Sequence, residues 1–201
     1  MINTIILDIG NVLGKFRWSD CLQDLGFNDE IIRKVGNATV LSKTWLEWDR
    51  GTKEEEELIS ECVERDPSVA AEIKEFFLHQ SEWVNEYDYS AAFINTLKTN
   101  GYKVYLLSNY SRGSFQYVIN DFKFYPCVDG GVISHEIQKV KPEPEMFEAL
   151  IQKYGFNPKE AVFLDDMQVN LEGAKPFGIH TIQFIDYESA LEELRKLGVR
   201  I

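Results

Sequence analysis

Short apolar runs that each stop at a polar side chain are the feature of this sequence that most limits its fold. Three such runs stop at Asp8, Ser108 and Asp165, and two more lie at 132–133 and 179–185. Short runs without polar alternation are typical of parallel strands buried on both faces. We therefore expect a sheet whose strands end at polar groups.

Helical patterns separate these strands. Phe147, Leu150 and Tyr154 recur at helical spacing, with Pro144 at the start of the segment and Gly155 at its end. Proline favours the first turn of a helix and glycine its termination. The alternation of strand and helix predicts an α/β fold with a doubly wound, mostly parallel, Rossmann-like sheet.

The segment 16–87 breaks this alternation. We predict no strand there, but it contains helical stretches such as "TKEEEELISECVER", in which Thr52 and Glu55 fit a capping box. The sequence thus predicts two parts: an α/β core formed by 1–15 and 88–201, and a helical cap, 16–87, inserted after the first strand.

Charge and composition exclude several classes of function. A formal net charge of −12 argues against nucleic-acid or anionic-membrane partners. We find no apolar run long enough to span a bilayer and expect no signal peptide. The three scattered cysteines favour a reducing compartment, so we expect a cytoplasmic protein. We expect a monomer or a small homo-oligomer.

Polar residues at the strand ends are the candidates for chemistry, because ligands of open α/β sheets bind at the carboxyl ends of the strands. Asp8, Ser108-Asn109 and Asp165-Asp166 all occupy such positions. Each group alone is equally typical of turns and helix caps. Two adjacent acids at a buried strand end, however, repel each other and favour a bound cation.

The order of these groups resembles the haloacid dehalogenase superfamily. Four stretches carry the resemblance, which covers nearly the whole chain: "LDIGNVL", "VYLLSN", "VKPEP" and "VFLDD". The inserted segment falls where that family places a cap. The Asp-x-Gly-Asn-Val pattern looks most like its small sugar-phosphate phosphatases, of the bacterial α-glucose-1-phosphatase type. The resemblance implies a phosphatase that depends on Mg²⁺ and hydrolyses a small phosphorylated metabolite, with a sugar phosphate as the expected class.

The resemblance also implies roles for catalysis and metal binding. Asp8 would attack phosphorus and form an aspartyl-phosphate. Mg²⁺ would bind a carboxylate oxygen of Asp8, the carbonyl oxygen of Gly10 and Asp166. Asp165 would orient an ordered water. Lys141 would keep the nucleophile ionised and neutralise charge on the phosphoryl group.

Phosphate contacts follow from the same resemblance. Ser108, the backbone amide of Asn109, Asn11 and Lys141 would hold the phosphate oxygens. Asn170, one helical turn beyond the acid pair, would brace the loop.

Gly10 departs from the common pattern of the family, which has a second aspartate at that position. That acid protonates the leaving alcohol and later activates water, a contribution typically worth roughly 10²–10⁴ in rate. Three replacements are open: a water steered by Asp165, a residue of the cap, or a substrate whose leaving group needs no acid.

Two other classes of function also remain open. A 2-haloacid dehalogenase of the same fold would use an aspartate nucleophile and an arginine for the halide, without metal. A relative without activity would only bind phosphate. The cap contributes Trp45, Trp48 and Arg50, whose side chains face either the substrate or the core of the cap.

Overall fold

A five-stranded parallel sheet forms the centre of the computed structural model, which describes residues 1–201. The strands of the chain are β1 (Thr4–Leu7), β2 (Gly14–Phe16), β3 (Val84–Glu86), β4 (Lys103–Ser108), β5 (Gly130–Ile133), β6 (Ala161–Asp165) and β7 (His180–Gln183). The order across the sheet is β5-β4-β1-β6-β7, so the first strand lies in the middle. The predicted mostly parallel α/β sheet is confirmed.

Helices cover both faces of this sheet. The core helices are α6 (Ser90–Thr99), α7 (Arg112–Asp121), α8 (Ser134–Ile137), α9 (Pro144–Tyr154), α10 (Gln168–Ala174) and α11 (Tyr187–Lys196). On β1, Ile5 and Leu7 belong to one hydrophobic cluster, together with residues of α6 and α11. Ile6 points the other way, into a cluster with residues of α9 and α10. Every side chain of β1 is buried, which explains its uninterrupted apolar sequence.

A group of five helices lies between β2 and β3 in the chain. These are α1 (Trp18–Asp24), α2 (Asp29–Ala38), α3 (Lys43–Arg50), α4 (Glu55–Arg65) and α5 (Ala70–Leu78). Their apolar faces, with neighbouring residues, form a hydrophobic cluster of 14 buried residues, separate from the two that flank the sheet. The boundaries 16–87 for a cap remain a prediction.

An antiparallel ribbon corrects the expectation that this segment lacks strands. Gly14–Phe16 pairs with Val84–Glu86, at the points where the chain leaves and re-enters the core. A side chain at Gly14 would meet Val84 at 2.8 Å, so the two passages lie in close contact. Strands of three residues carry too little periodicity to be read from sequence.

The predicted capping box at the start of α4 is wrong. The helix begins after Glu54, and no side chain caps it. The Thr52 hydroxyl instead donates to the carbonyl oxygen of Glu47, 3.1 Å away. The three glutamates of the first turn still lie at the positive end of the helix.

None of the helices combines the length and the apolar character needed to cross a membrane.

Candidate active site

Asp8 follows the central strand and presents its two carboxylate oxygens differently. Oδ1 accepts from the backbone N–H of Ile9 at 2.7 Å and from the Ser108 hydroxyl at 2.6 Å, and it lies 2.9 Å from Nζ of Lys141. Oδ2 has none of these contacts, and Asp8 lines a cavity above the sheet edge. Burial raises the pKa of Asp8 to about 6, although Lys141 opposes the shift. One oxygen is anchored and the other is available to a ligand.

Lys141 links the carboxylates of two neighbouring strands. Its ammonium lies 2.9 Å from Asp8 and 2.6 Å from Asp165, and the side chain is 1% exposed. The Asn109 side chain positions it from behind, since its Oδ1 accepts from the Lys141 N–H at 2.7 Å and its Nδ2 donates to the Lys141 carbonyl at 3.1 Å. Because the side chain of Asn109 makes these two hydrogen bonds, only its backbone N–H remains for the predicted phosphate contact.

Asp165 is fully buried and fully hydrogen-bonded. Besides Lys141, it accepts from the backbone N–H of Met167 at 2.8 Å and from Nδ2 of Asn170 at 3.0 and 3.1 Å. Asn170 thus braces the loop, the role that the family resemblance implied for it. Because its oxygens are occupied, Asp165 is placed to position Lys141. The water-orienting role suggested for it remains a prediction.

Asp166 and Asn11 form the other side of the acidic cluster. Nδ2 of Asn11 donates to Oδ2 of Asp166 at 2.9 Å, and its Oδ1 accepts from the backbone N–H of Phe16 at 3.1 Å. Asn11 has a φ of 56°, in the left-handed region that asparagine tolerates. One hydrogen on its Nδ2 is left over, so a phosphate contact for Asn11 remains a prediction.

The three acids come close enough to share one cation. Asp8, Asp165 and Asp166 each offer an oxygen within 4.8 Å of the others. Lys141 balances one of their three charges, which leaves a net −2 if all are ionised. Gly10 lies beside them in the cavity wall. An all-oxygen donor set with this excess charge fits a hard divalent cation such as Mg²⁺.

A cavity of about 360 Å³ opens above these residues. Its upper wall comes from the helical segment and from the ribbon, and includes the aromatic residues Phe16, Trp45, Trp48 and Trp83. Trp48 also belongs to the hydrophobic cluster of the five helices, and Trp45 packs against that cluster. Both tryptophans therefore stabilise that cluster and line the cavity at once.

Arg50 does not line this cavity. Its guanidinium lies 2.7 Å from Glu143 and 3.4 Å from Glu47. Glu143 immediately precedes α9, so Arg50 ties the helical segment to the core. A direct contact of Arg50 with substrate would require both ion pairs to open.

Asp49 is the cavity residue that we did not single out from the sequence. It lies near the end of α3, partly buried, and lines the cavity with Asp8 and Lys141. Trp45, Trp48 and Asp49 have the i, i+3, i+4 spacing of one helical face. An acid on the apolar face of an amphipathic helix is unusual, and this pattern could have identified Asp49 as a candidate from the sequence.

The family model for haloacid dehalogenase-like hydrolases matches residues 2–178 of the chain. The chain belongs to this family. The prediction of a hydrolase of the haloacid dehalogenase superfamily is therefore confirmed.

Curated relatives of this haloacid dehalogenase-like protein have diverse activities. Drimenol cyclase drtB of Aspergillus calidoustus is 24% identical over 200 residues, which is 98% of this chain and 37% of that protein. Pyrophosphatase PpaX of Bacillus cereus is 28% identical over 103 residues, 51% of this chain and 48% of the relative. (S)-2-haloacid dehalogenase 4A of Burkholderia cepacia is 25% identical over 111 residues, which is 55% of this chain and 48% of that relative. The matches span half or less of each relative.

Solved structures support the same fold. A haloacid dehalogenase family enzyme from Bacteroides thetaiotaomicron, solved with magnesium and inorganic phosphate, superposes with a TM-score of 0.72. It is 24% identical, and the match covers 94% of this chain and 99% of that one. L-2-haloacid dehalogenase from Xanthobacter autotrophicus, with chloropropionic acid covalently bound, gives a TM-score of 0.68 at 16% identity, covering 100% and 85%.

Proposed function

We propose that this haloacid dehalogenase-like hydrolase is a Mg²⁺-dependent phosphatase that acts on a small phosphorylated metabolite, with a sugar phosphate as the expected class. One observation carries the proposal. Asp8, Asp165 and Asp166 cluster around a candidate cation site beside a cavity, the Lys141 ammonium pairs with two of them, Asp8 and Asp165, and Oδ2 of Asp8 takes part in none of the contacts that hold Oδ1.

Magnesium fits the residues present. Asp8, Asp166 and the backbone carbonyl of Gly10 would hold it, and the net −2 of the cluster would balance its charge. When bound, the ion neutralises phosphate oxygens and so lets a dianion approach the carboxylates. The solved structure from Bacteroides thetaiotaomicron, with magnesium and phosphate, supports the same assignment by analogy.

The side chains of the protein account for the remaining steps. Oδ2 of Asp8 attacks phosphorus, and a covalent aspartyl-phosphate replaces the bond to the leaving oxygen. Lys141 keeps Asp8 ionised and stabilises the negative charge that the phosphoryl group carries. Ser108 fixes the carboxylate through Oδ1, so that attack by Oδ2 is directed into the cavity.

The walls of the cavity favour a substrate with both apolar and polar faces. Trp45 and Trp48 offer rings on which the C–H face of a sugar can pack. Gln80 and Ser114 also line the cavity and hydrogen-bond to each other at 3.1 Å, which positions polar groups for hydroxyls. The three cysteines are free, which is consistent with the cytoplasmic location that we propose.

Removal of divalent metal is expected to abolish activity, because the carboxylate cluster would then repel a phosphate dianion. Phosphate release from a panel of phosphorylated metabolites should fall to background in EDTA and return when excess Mg²⁺ is added. An unchanged rate in EDTA would contradict the proposal.

A metal-independent dehalogenase is the second candidate, because Gly10 lacks the second acid and two relatives are dehalogenases. That reaction needs a cation free to bind halide. Lys141 is the only cationic side chain lining the cavity, and it is paired with Asp8 and Asp165. Chloride release from a 2-haloacid in the presence of EDTA would favour this candidate.

A further inference from the structure

The position that would hold the second acid is empty space in this protein. A Cβ added at Gly10 would meet no atom within 4 Å, so no neighbouring side chain fills the space beside Gly10. Phosphate monoesters of ordinary alcohols nevertheless need a proton at the leaving oxygen. A donor, if the protein supplies one, has to come from elsewhere in the cavity wall.

The three acids at the edge of the sheet, Asp8, Asp165 and Asp166, already have other contacts or roles. Asp165 is enclosed by Lys141, Asn170 and the backbone of Met167. Asp8 is the nucleophile. Asp166 accepts a hydrogen bond from Asn11 and belongs to the acid cluster that would hold the cation. None of the three is therefore free to carry a proton to and from a leaving group.

Asp49 is the remaining carboxylate of the cavity. No side chain donates a hydrogen bond to it; only the backbone N–H of Ser111 faces it. Burial, with the nearby charge of Asp8, raises the pKa of Asp49 to about 7, while Ser111 and Lys141 oppose the shift. The other titratable group nearby is Tyr110, and burial raises the pKa of its phenol. Asp49 can therefore hold a proton near neutral pH and release it.

The backbone around Asp49 is attached to the core. The Ser134 hydroxyl donates to the Asp49 carbonyl, and Arg50 pairs with Glu143. Gly51 ends α3 against His135, where an added Cβ would lie 2.9 Å from the histidine Cα. These contacts hold the carboxylate of Asp49 on the wall contributed by α3, whereas Asp8 lies at the carboxyl edge of the sheet.

We infer that Asp49 is the general acid and base of the reaction, supplied by the inserted helices in place of the acid missing at Gly10. This inference rests on the proposed phosphatase function. It adds to that function a catalytic residue that lies outside the four motifs of the α/β core.

The two half-reactions balance. In the first, the bond from Asp8 Oδ2 to phosphorus forms while the bond to the leaving oxygen breaks, and the proton of Asp49 passes to that oxygen to give a neutral alcohol. In the second, the Asp49 carboxylate takes a proton from water as the water oxygen bonds to phosphorus. The bond between phosphorus and Asp8 then breaks, inorganic phosphate leaves, and Asp49 is again protonated.

The test is a series of phosphate esters of graded leaving-group acidity, from p-nitrophenyl phosphate through phenyl phosphate to glycerol phosphate, each with Mg²⁺. Asp49→Asn should lower kcat/KM for glycerol phosphate by roughly 10²–10⁴, and for p-nitrophenyl phosphate by less than about tenfold. p-Nitrophenolate leaves without protonation, whereas the alkoxide of glycerol needs a proton. Loss of a general acid is therefore expected to slow the ester with the poorest leaving group most. Asp49→Glu, which keeps an acid, should recover part of the lost rate.

The matched control is Glu47→Gln, a half-exposed carboxylate on the same helix that does not line the cavity. It should leave the ratio of rates for the three esters unchanged. Thermal unfolding of each variant checks that the fold is retained.

A second variant places an acid at position 10, where the common pattern of the family has one. Gly10→Asp has the space it needs, and in the Asp49→Asn background it should raise the rate for glycerol phosphate by at least about tenfold. Such recovery would support the assignment.

Equal losses on all three esters in Asp49→Asn would overturn the assignment and leave Asp49 a substrate-binding residue. If the wild-type protein released no phosphate from any ester, the proposed function would fail, and this inference with it.

Discussion

Asp8→Asn is expected to reduce phosphate release on the order of 10⁴-fold or more, because the amide can neither attack phosphorus nor carry the negative charge that the cation needs. The substitution keeps the size and shape of the side chain. It also removes one of three clustered negative charges and leaves Lys141 paired with Asp165, so we expect the thermal stability to be retained or slightly raised.

Covalent labelling separates loss of the nucleophile from other causes. Wild-type protein quenched in acid during turnover should retain labelled phosphate, and Asp8→Asn should retain none. Asp121→Asn, an exposed position on α7, serves as the control and should behave as wild type. Turnover by Asp8→Asn within tenfold of wild type would remove Asp8 from the mechanism.

Lys141→Met should lose both activity and stability. The methionine fills much of the apolar space of the lysine stem, but it leaves Asp8 and Asp165 buried without their cation. Removal of one partner from a buried ion pair typically costs about 3–5 kcal/mol. Since Asp165 is fully buried and Asp8 nearly so, we expect a loss of that order in the free energy of unfolding, measured in EDTA.

The loss should depend on pH in a defined direction. Burial already raises the pKa of Asp8 to about 6 with Lys141 present, and removal of the ammonium raises it further. A folded-state pKa above the unfolded value means that stability is lost as pH rises through the folded pKa. The difference from wild type should therefore be larger at about pH 8 than at about pH 5, where the carboxyl group binds a proton.

Lys139→Met is the matched control for this experiment. Lys139 lies two residues away, is 39% exposed and pairs with Glu145 at the surface, so its substitution should change stability far less than Lys141→Met does. If Lys141→Met were as stable as this control at both pH values, the ammonium would not be what holds the carboxylates together.

The sequence was sufficient for the parallel sheet and for the edge where the polar groups meet. Apolar runs such as Ile5–Leu7 are buried on both faces, so their composition alone indicates a central strand. Asp8, Ser108 and Asp165 lie at the carboxyl ends of three strands of one parallel sheet, and such ends necessarily lie on the same side of the sheet. Local pattern and topology together bring these residues close.

Partner choice within the site was decided by the tertiary structure. The family resemblance implied that Lys141 acts on Asp8, but the sequence does not indicate that Lys141 also pairs with Asp165, or that the Asn11 side chain bonds to Asp166 and Phe16. These contacts depend on side-chain positions of residues far apart in the chain. The short β2–β3 ribbon depends in the same way on a pairing across about 70 residues, which strand propensity cannot report.

Asp49 shows the difference most clearly. In sequence it is one acid among 33 acidic residues, between a tryptophan and an arginine. Only the docking of α3 on the core, through Ser134 and Glu143, turns that helix face toward the carboxylates of the sheet. Periodicity determines which residues share a face of a helix, but the packing of one element against another determines what that face meets.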